Sequence, residues 1–156
     1  MKQLETLRAE GRIEEARQHG LLQLIEHPQH AELHYEVACL HDTLGRETQA
    51  IPLYQKAIAL GLSEVSLRGA WLGLGSSYRS TGQYAEALAA FEQGLARFPD
   101  ATEFRVFRAM ACYNLGHHKE GMESLLAVLA VTTTDPDLTP YRRAIALYAE
   151  DLDRRW

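Results

Sequence analysis

Positive charge is in short supply in this chain: 16 Lys and Arg stand against 21 Asp and Glu in 156 residues, a formal net charge of −5. Binding along a phosphate backbone needs a local basic excess, so nucleic acid is not expected as a partner. Cysteine is scarce as well. Cys39 and Cys112 are the only two, far apart and each inside a helical pattern, which argues against a disulfide framework and suits reduced thiols in a cytoplasmic protein. The longest uninterrupted apolar run, residues 125–131, falls far short of the ~20 residues of a membrane helix, so no membrane association is expected. The opening MKQLETLRAEGR is charged throughout and has no apolar stretch of the kind a secretory signal needs.

Catalytic motifs are missing too. There is no glycine-rich phosphate loop and no nucleophile elbow, and the carboxylate pairs Glu14/Glu15 and Asp151/Asp153 fall on charged stretches that read as solvated faces. No catalytic residue, no cofactor and no metal ligand set is expected, and the chain is not read as an enzyme. Seven histidines invite a metal reading at His30, His34 and His41, which share one helical face. Seven residues nevertheless place His34 and His41 ~10.5 Å apart along a helix, too far for one ion. They are read instead as packing substitutes for aromatics. His117 and His118 fall at a turn and are read as solvent-facing. Neither thiol has a sequence neighbour that would lower its pKa, so both are read as packing residues.

What the chain does contain is a period. A glycine followed five residues later by a small residue recurs at Gly11/Ala16, Gly45/Ala50, Gly82/Ala87 and Gly116/Gly121, with glycine spacings of 34, 37 and 34. Each glycine lies between two apolar helical patterns, where a helical hairpin turns and positive φ is easily accommodated. The small residue lets the two helices approach closely. Helices are predicted over 2–10, 12–27, 30–44, 47–61, 66–81, 84–97, 102–115, 118–131 and 139–153. Pro28, Pro99 and Pro136 fall between them, and Pro52 is expected in the first turn of its helix, where a missing N–H does little harm. With 46% apolar residues and 24% charged, the chain can bury an ordinary core.

The copy from Trp71 to Pro99, with Trp71, Leu74, Gly75, Tyr78, Gly82, Ala87, Phe91, Gly94 and Pro99, resembles the tetratricopeptide repeat almost position for position. Gly94 stands where that family usually has Ala. The copy before it carries Val37, Ala38, Gly45, Ala50, Tyr54 and Ala57 but has His34 and His41 at the aromatic positions; the copy after it keeps Ala109, Gly116, Leu125 and Val128 but has Arg105 and Cys112 there. The resemblance implies an all-α, right-handed solenoid of stacked antiparallel helix pairs forming a single domain over 1–156. Its parts would be a truncated repeat at 1–29, repeats at about 30–64, 68–101 and 102–135, and a capping helix at about 139–153.

In such arrays the first helix of each pair lines a concave groove that holds a protein or peptide. Carried over by position, the groove residues are Glu32, Tyr35, Cys39 and Asp42, then Leu72, Ser76 and Arg79, then Val106, Met110, Tyr113 and Asn114, with Glu5 and Arg8 from the truncated start. The Lys and Asn that clamp a peptide carboxylate in chaperone-binding members are replaced here by Tyr35, Cys39, Gly69 and Gly73, so that mode is not expected. The expected role is a protein-interaction adaptor with its partner anchored in the groove. The alternative is a self-associating structural subunit, a homodimer for instance, that uses Leu21, Leu22, Leu24 and Ile25 of the first hairpin. Trp156 is a further candidate contact anchor.

Overall fold

The computed structural model describes residues 1–155, so Trp156 lies outside the described residues. The described residues form nine α-helices and one 3₁₀ turn, with no strand among them: α1 Lys2–Ala9, α2 Ile13–Glu26, α3 Ala31–Thr43, α4 Glu47–Leu60, α5 Glu64–Ser80, α6 Tyr84–Arg97, α7 Thr102–Asn114, α8 His118–Thr132, the 3₁₀ turn Thr139–Tyr141, and α9 Arg142–Glu150. Gly11, Gly45, Gly82 and Gly116 all adopt positive φ, between 67° and 81°. Each therefore ends one helix with a left-handed residue and lets the chain double back, as the 34-to-37-residue spacing predicts.

Apart from ends that differ by one residue, the helices depart from expectation at α5, at α9, whose predicted start at 139 is a 3₁₀ turn, and at Pro52. Helix α5 starts at Glu64 because the Ser63 side chain accepts from the Ser66 backbone N–H and caps it there. Helix α9 ends at Glu150, short of 153, because Asp151 is extended at φ −163° and ψ 106°. Pro52 is not in the first turn. It lies inside α4, six positions into a helix that begins at Glu47. Its ring removes one backbone donor, and the Thr48 carbonyl left without it is on an exposed residue, where water can satisfy it.

The chain divides into two compact units, Met1–Ala90 and a second beginning at Phe91, with the division inside α6. In the first, α1 packs on α2, α2 on α3, α3 on α4, and α5 on both α3 and α4. One apolar cluster joins Leu4, Leu7, Ala16, Leu24, Leu33, Val37 and Leu40. A second joins Ala38, Ala50, Tyr54, Ala70, Leu74 and Ala90, with Tyr35, Cys39, Trp71 and Tyr78 packed against it. Each fully buried Leu or Val in these clusters contributes ~1.5–3 kcal/mol. Trp71, the leading aromatic of the best repeat copy, is only partly buried. Ala87 is fully buried, as close helix approach requires.

In the second unit α7 packs on α8 and α8 on α9. Phe91 and Phe104 are wholly buried; Phe91 meets the Phe107 ring at 6.1 Å, and Phe104 stacks on Phe98 at 6.5 Å. The Arg142 guanidinium donates to the Thr133 carbonyl and ties the start of α9 to the end of α8.

The histidine trio is held apart by separate partners. His30 Nδ1 accepts from the Leu33 N–H at 3.2 Å and caps α3, His34 Nε2 faces the Pro28 carbonyl at 3.0 Å, and His41 is buried. His41 therefore lies in the packed interior, whereas His34 is half-buried near the start of α3.

Candidate protein-binding surface

Spacings of three and four residues put Glu32, Tyr35, Cys39 and Asp42 on one stripe of α3, and Leu72, Ser76 and Arg79 on one stripe of α5. The α3 stripe is engaged within the chain along its whole length. At its start, a Glu32 carboxylate oxygen accepts the Ser63 backbone N–H at 2.9 Å, adding a second acceptor at the N-terminus of α5. Burial disfavours the charged form of Glu32, but bonds from Ser66 and Ser63 outweigh it and hold the carboxyl below its ordinary range. Midway along, the Tyr35 hydroxyl lies against Gly69, closer than any β-carbon there would permit. Its ring meets the Tyr54 ring at 6.2 Å. Burial, with Cys39 beside it, pushes the Tyr35 phenol above its ordinary pKa. Gly69 and Gly73 therefore accept two tyrosines, since Tyr54 occupies the equivalent space at Gly73.

At the far end of the stripe, Asp42 accepts from the Tyr54 hydroxyl at 2.6 Å and from the Ser77 hydroxyl at 2.8 Å. Burial raises the Asp42 carboxyl above its ordinary pKa, against the pull of those two bonds. The Tyr54 hydroxyl has one proton and spends it on Asp42; Cys39 Sγ, 3.6 Å from the same oxygen, completes the cluster. Burial raises the Cys39 thiol, so it is held as a thiol and not as a reactive thiolate.

Beside Asp42 a recess of about 330 Å³ opens between the ends of α3 and α5, lined by Asp42, Glu47, Ser76, Ser77, Arg79 and Ser80. It brings together three of the residues that the repeat pattern assigns to a groove: Asp42, Ser76 and Arg79. Glu47, Ser77 and Ser80 were not anticipated. Ser77 did leave a signal, being a hydroxyl at the repeat position where the neighbouring copies carry Leu40 and Ala111. It is 1% exposed.

Of the remaining groove positions, Leu72 is half-buried on α5, Glu5 is exposed, and Arg8 makes a 2.8 Å ion pair with Glu36. On the second unit Val106, Met110 and Asn114 are half-buried along α7, while Tyr113 is exposed with its ring 5.2 Å from that of His118. Of the four residues put forward for self-association, Leu24 belongs to the core and Leu21 packs partly against it. Leu22 and Ile25 are open to solvent at 63% and 76%.

Helices joined as hairpins by left-handed glycines, with a small residue at each crossing, define the class: an all-α protein of stacked helix pairs. The pattern of the Tetratrico peptide repeat family matches residues 31–152, and the chain belongs to that family. Repeats of this family act as scaffolds for protein contacts. Among solved structures, the chain resembles the crystal structure of MamA protein, with a TM-score of 0.75 and 22% identity over 83% of this chain and 69% of that one. It also resembles YrrB, described as a TPR protein with an unusual peptide-binding site, with a TM-score of 0.73 and 18% identity over 96% of this chain and 76% of that one. At such identities the likeness concerns the fold. No curated protein sequence matches the chain. Among the described residues, no helix is long and apolar enough to cross a membrane.

Proposed function

We propose that this protein is an interaction adaptor and that it holds a peptide segment of its partner against the α3–α5 face, in and around the Asp42 recess. The observation that supports this most is the convergence of Asp42, Ser76 and Arg79 on one recess. The Ser76 and Ser80 hydroxyls, the Asp42 and Glu47 carboxylates and the Arg79 guanidinium offer donors and acceptors to a backbone or polar side chain, and Leu72 one turn away offers apolar contact. The floor is rigid because Tyr54 and Ser77 fix Asp42 and two tyrosines lie on Gly69 and Gly73. A pre-formed floor lowers the ordering penalty of binding. Val106, Met110, Tyr113 and Asn114 are proposed as a contact row of the second unit in their own right. YrrB, a relative in fold, is described as having a peptide-binding site, which makes the reading natural for this chain.

The test is a photo-crosslinking residue at position 76, with the same residue at exposed Lys56 of α4 as control, used in the native cell. A partner crosslinked from position 76 and not from 56, and lost in Ser76→Trp with helicity intact, supports the reading. Filling the recess should weaken the complex by at least ~2 kcal/mol, roughly thirtyfold in Kd. Crosslinking confined to position 56, or a partner retained by Ser76→Trp, sinks it.

Self-association is the second reading, favoured by the exposure of Leu22 and Ile25, three residues apart on one face of α2.

A further inference from the structure

The Gly116 hairpin differs chemically from the other three. Four residues before each turn glycine, one after it and four after it stand Leu7, Arg12 and Glu15; His41, Arg46 and Gln49; and Tyr78, Gln83 and Glu86. Only around Gly116 do these positions hold a thiol, an imidazole and a carboxylate: Cys112, His117 and Glu120. The turn itself brings them together. The His117 N–H donates to the Cys112 carbonyl at 2.8 Å, Gly116 takes φ 81°, and α8 begins at His118, so the last turn of α7 faces the first turn of α8. One donor atom from each of the three residues lies within 4.8 Å of the others.

A cation already sits among them. The Arg108 guanidinium is 3.7 Å from Cys112 Sγ, 2.5 Å from a Glu120 oxygen and 3.2 Å from Glu92. With the guanidinium in place, Cys112 is wholly buried. Glu92 gives the guanidinium an anchor to swing onto when something else takes the place between sulfur and carboxylate. Two of the three, His117 and Glu120, also line a recess of about 400 Å³, together with Gly116, His118, Lys119 and Glu123. It admits an ion together with its water.

We propose that Cys112, His117 and Glu120 form a binding site for a zinc-type divalent cation, with water as the fourth ligand and Arg108 as the group the ion displaces. Sulfur, imidazole and carboxylate together suit Zn²⁺ or Co²⁺ and not Mg²⁺ or Ca²⁺, which prefer all-oxygen shells. Tetrahedral bond lengths of about 2.0–2.3 Å place ligand atoms roughly 3.3–3.8 Å apart. The three side chains therefore close by about 1 Å, a matter of torsions in the exposed His117 and Glu120. On binding, the Cys112 thiol loses its proton to solvent. A thiolate, a carboxylate and a neutral imidazole then balance the dipositive ion. The ion clips α7 to α8.

The experiment titrates metal-stripped, reduced protein with Co²⁺ and reads the thiolate-to-cobalt charge-transfer band, then back-titrates with Zn²⁺. One equivalent with a thiolate band, displaced by Zn²⁺, is expected. Cys112→Ser should abolish the band, and His117→Ala and Glu120→Gln should each weaken binding by roughly tenfold or more. Arg108→Gln should tighten binding, because it removes the competing cation; a site elsewhere would not respond. Circular dichroism guards against misfolding of the Cys112 variant, and the exposed His117 and Glu120 variants carry the test if it does misfold. Cobalt bound without a thiolate band, a band that survives Cys112→Ser, or an Arg108→Gln affinity equal to that of the parent overturns the proposal.

Discussion

Phe104 lies across Gly94 so closely that the β-carbon of any other residue at 94 would overlap its ring. The ring is itself fully buried and stacked on Phe98. This explains the departure of position 94 from the alanine usual in the repeat: the large side chain that fills the crossing comes from α7, and α6 yields the space.

Gly94→Ala should therefore destabilise the protein. Overpacking of ~1–3 kcal/mol outweighs the ~1 kcal/mol that Ala gains over Gly in helix propensity. Phe104→Leu alone should also destabilise, but in the Gly94→Ala background it should recover part of the loss, giving a coupling energy of opposite sign. Urea denaturation of the four proteins measures the cycle. Additive losses would mean that the two positions do not share the space.

Tyr54→Phe should cost about 1.5–3 kcal/mol, the usual range for a hydrogen bond to a charged group. It should also raise the Asp42 pKa further, since the Tyr54 hydroxyl is one of two donors that favour the ionised form. The sign is opposite to that of a salt-bridged carboxylate. Burial already places the folded-state pKa above the ordinary 3.8, so Asp42 opposes folding when ionised, and that penalty is relieved as pH falls through the folded value. Carboxyl NMR titration of Asp42 in both proteins checks the direction. An unchanged or lowered value in Tyr54→Phe contradicts the bond.

The hairpin plan was legible in the sequence because its determinants are local. Four glycines at a near-constant spacing impose four turns, and the apolar stripes between them have no other period. Helix ends were less legible where a side chain decides them, as Ser63 does for α5. The candidate site was legible only by position. Glu32, Tyr35 and Cys39 fall on the stripe the repeat pattern indicates, but what each touches depends on α4 and α5: the Ser63 N–H, the bare backbone of Gly69, the Tyr54 hydroxyl. Such pairings across 15 to 34 residues leave no periodic trace. Cys112, His117 and Glu120 escaped for the same reason, since a turn and not a helical face unites them.

Replacing Leu22 and Ile25 with Glu tests self-association without touching the core, as both side chains are mostly in solvent. The variant should fold with unchanged helicity. If the α2 face joins two copies, light scattering should show a dimer for the parent and a monomer for the variant, because carboxylates resist burial at an apolar interface. A monomeric parent removes the second reading.

His41 supplies the last prediction, a fall in stability on mild acidification. It is 5% exposed, and its Nδ1 has no hydrogen-bond partner within the protein. Three charged groups act on it: Arg17 and Arg46, which disfavour the imidazolium, and Glu14, which favours it. Burial comes first and the two arginines second, so the folded-state pKa lies below the ordinary 6.5. Glu14 offers little relief, because its carboxylate is engaged by Arg17 and Arg46 and stays ionised down to about pH 2. The unfolded chain therefore takes up a proton near pH 6.5 while the folded chain does not. Stability is full above that pH and declines as pH falls from 6.5 toward the depressed folded value, where it levels off. His41→Phe places at 41 the kind of aromatic that Tyr78 supplies in the next repeat, removes the unpartnered nitrogen and abolishes the titration. It should be neutral or stabilising at pH 8 and should flatten the midpoint of urea unfolding between pH 7 and pH 5. A parent-like slope in the variant would assign the acid sensitivity to another group.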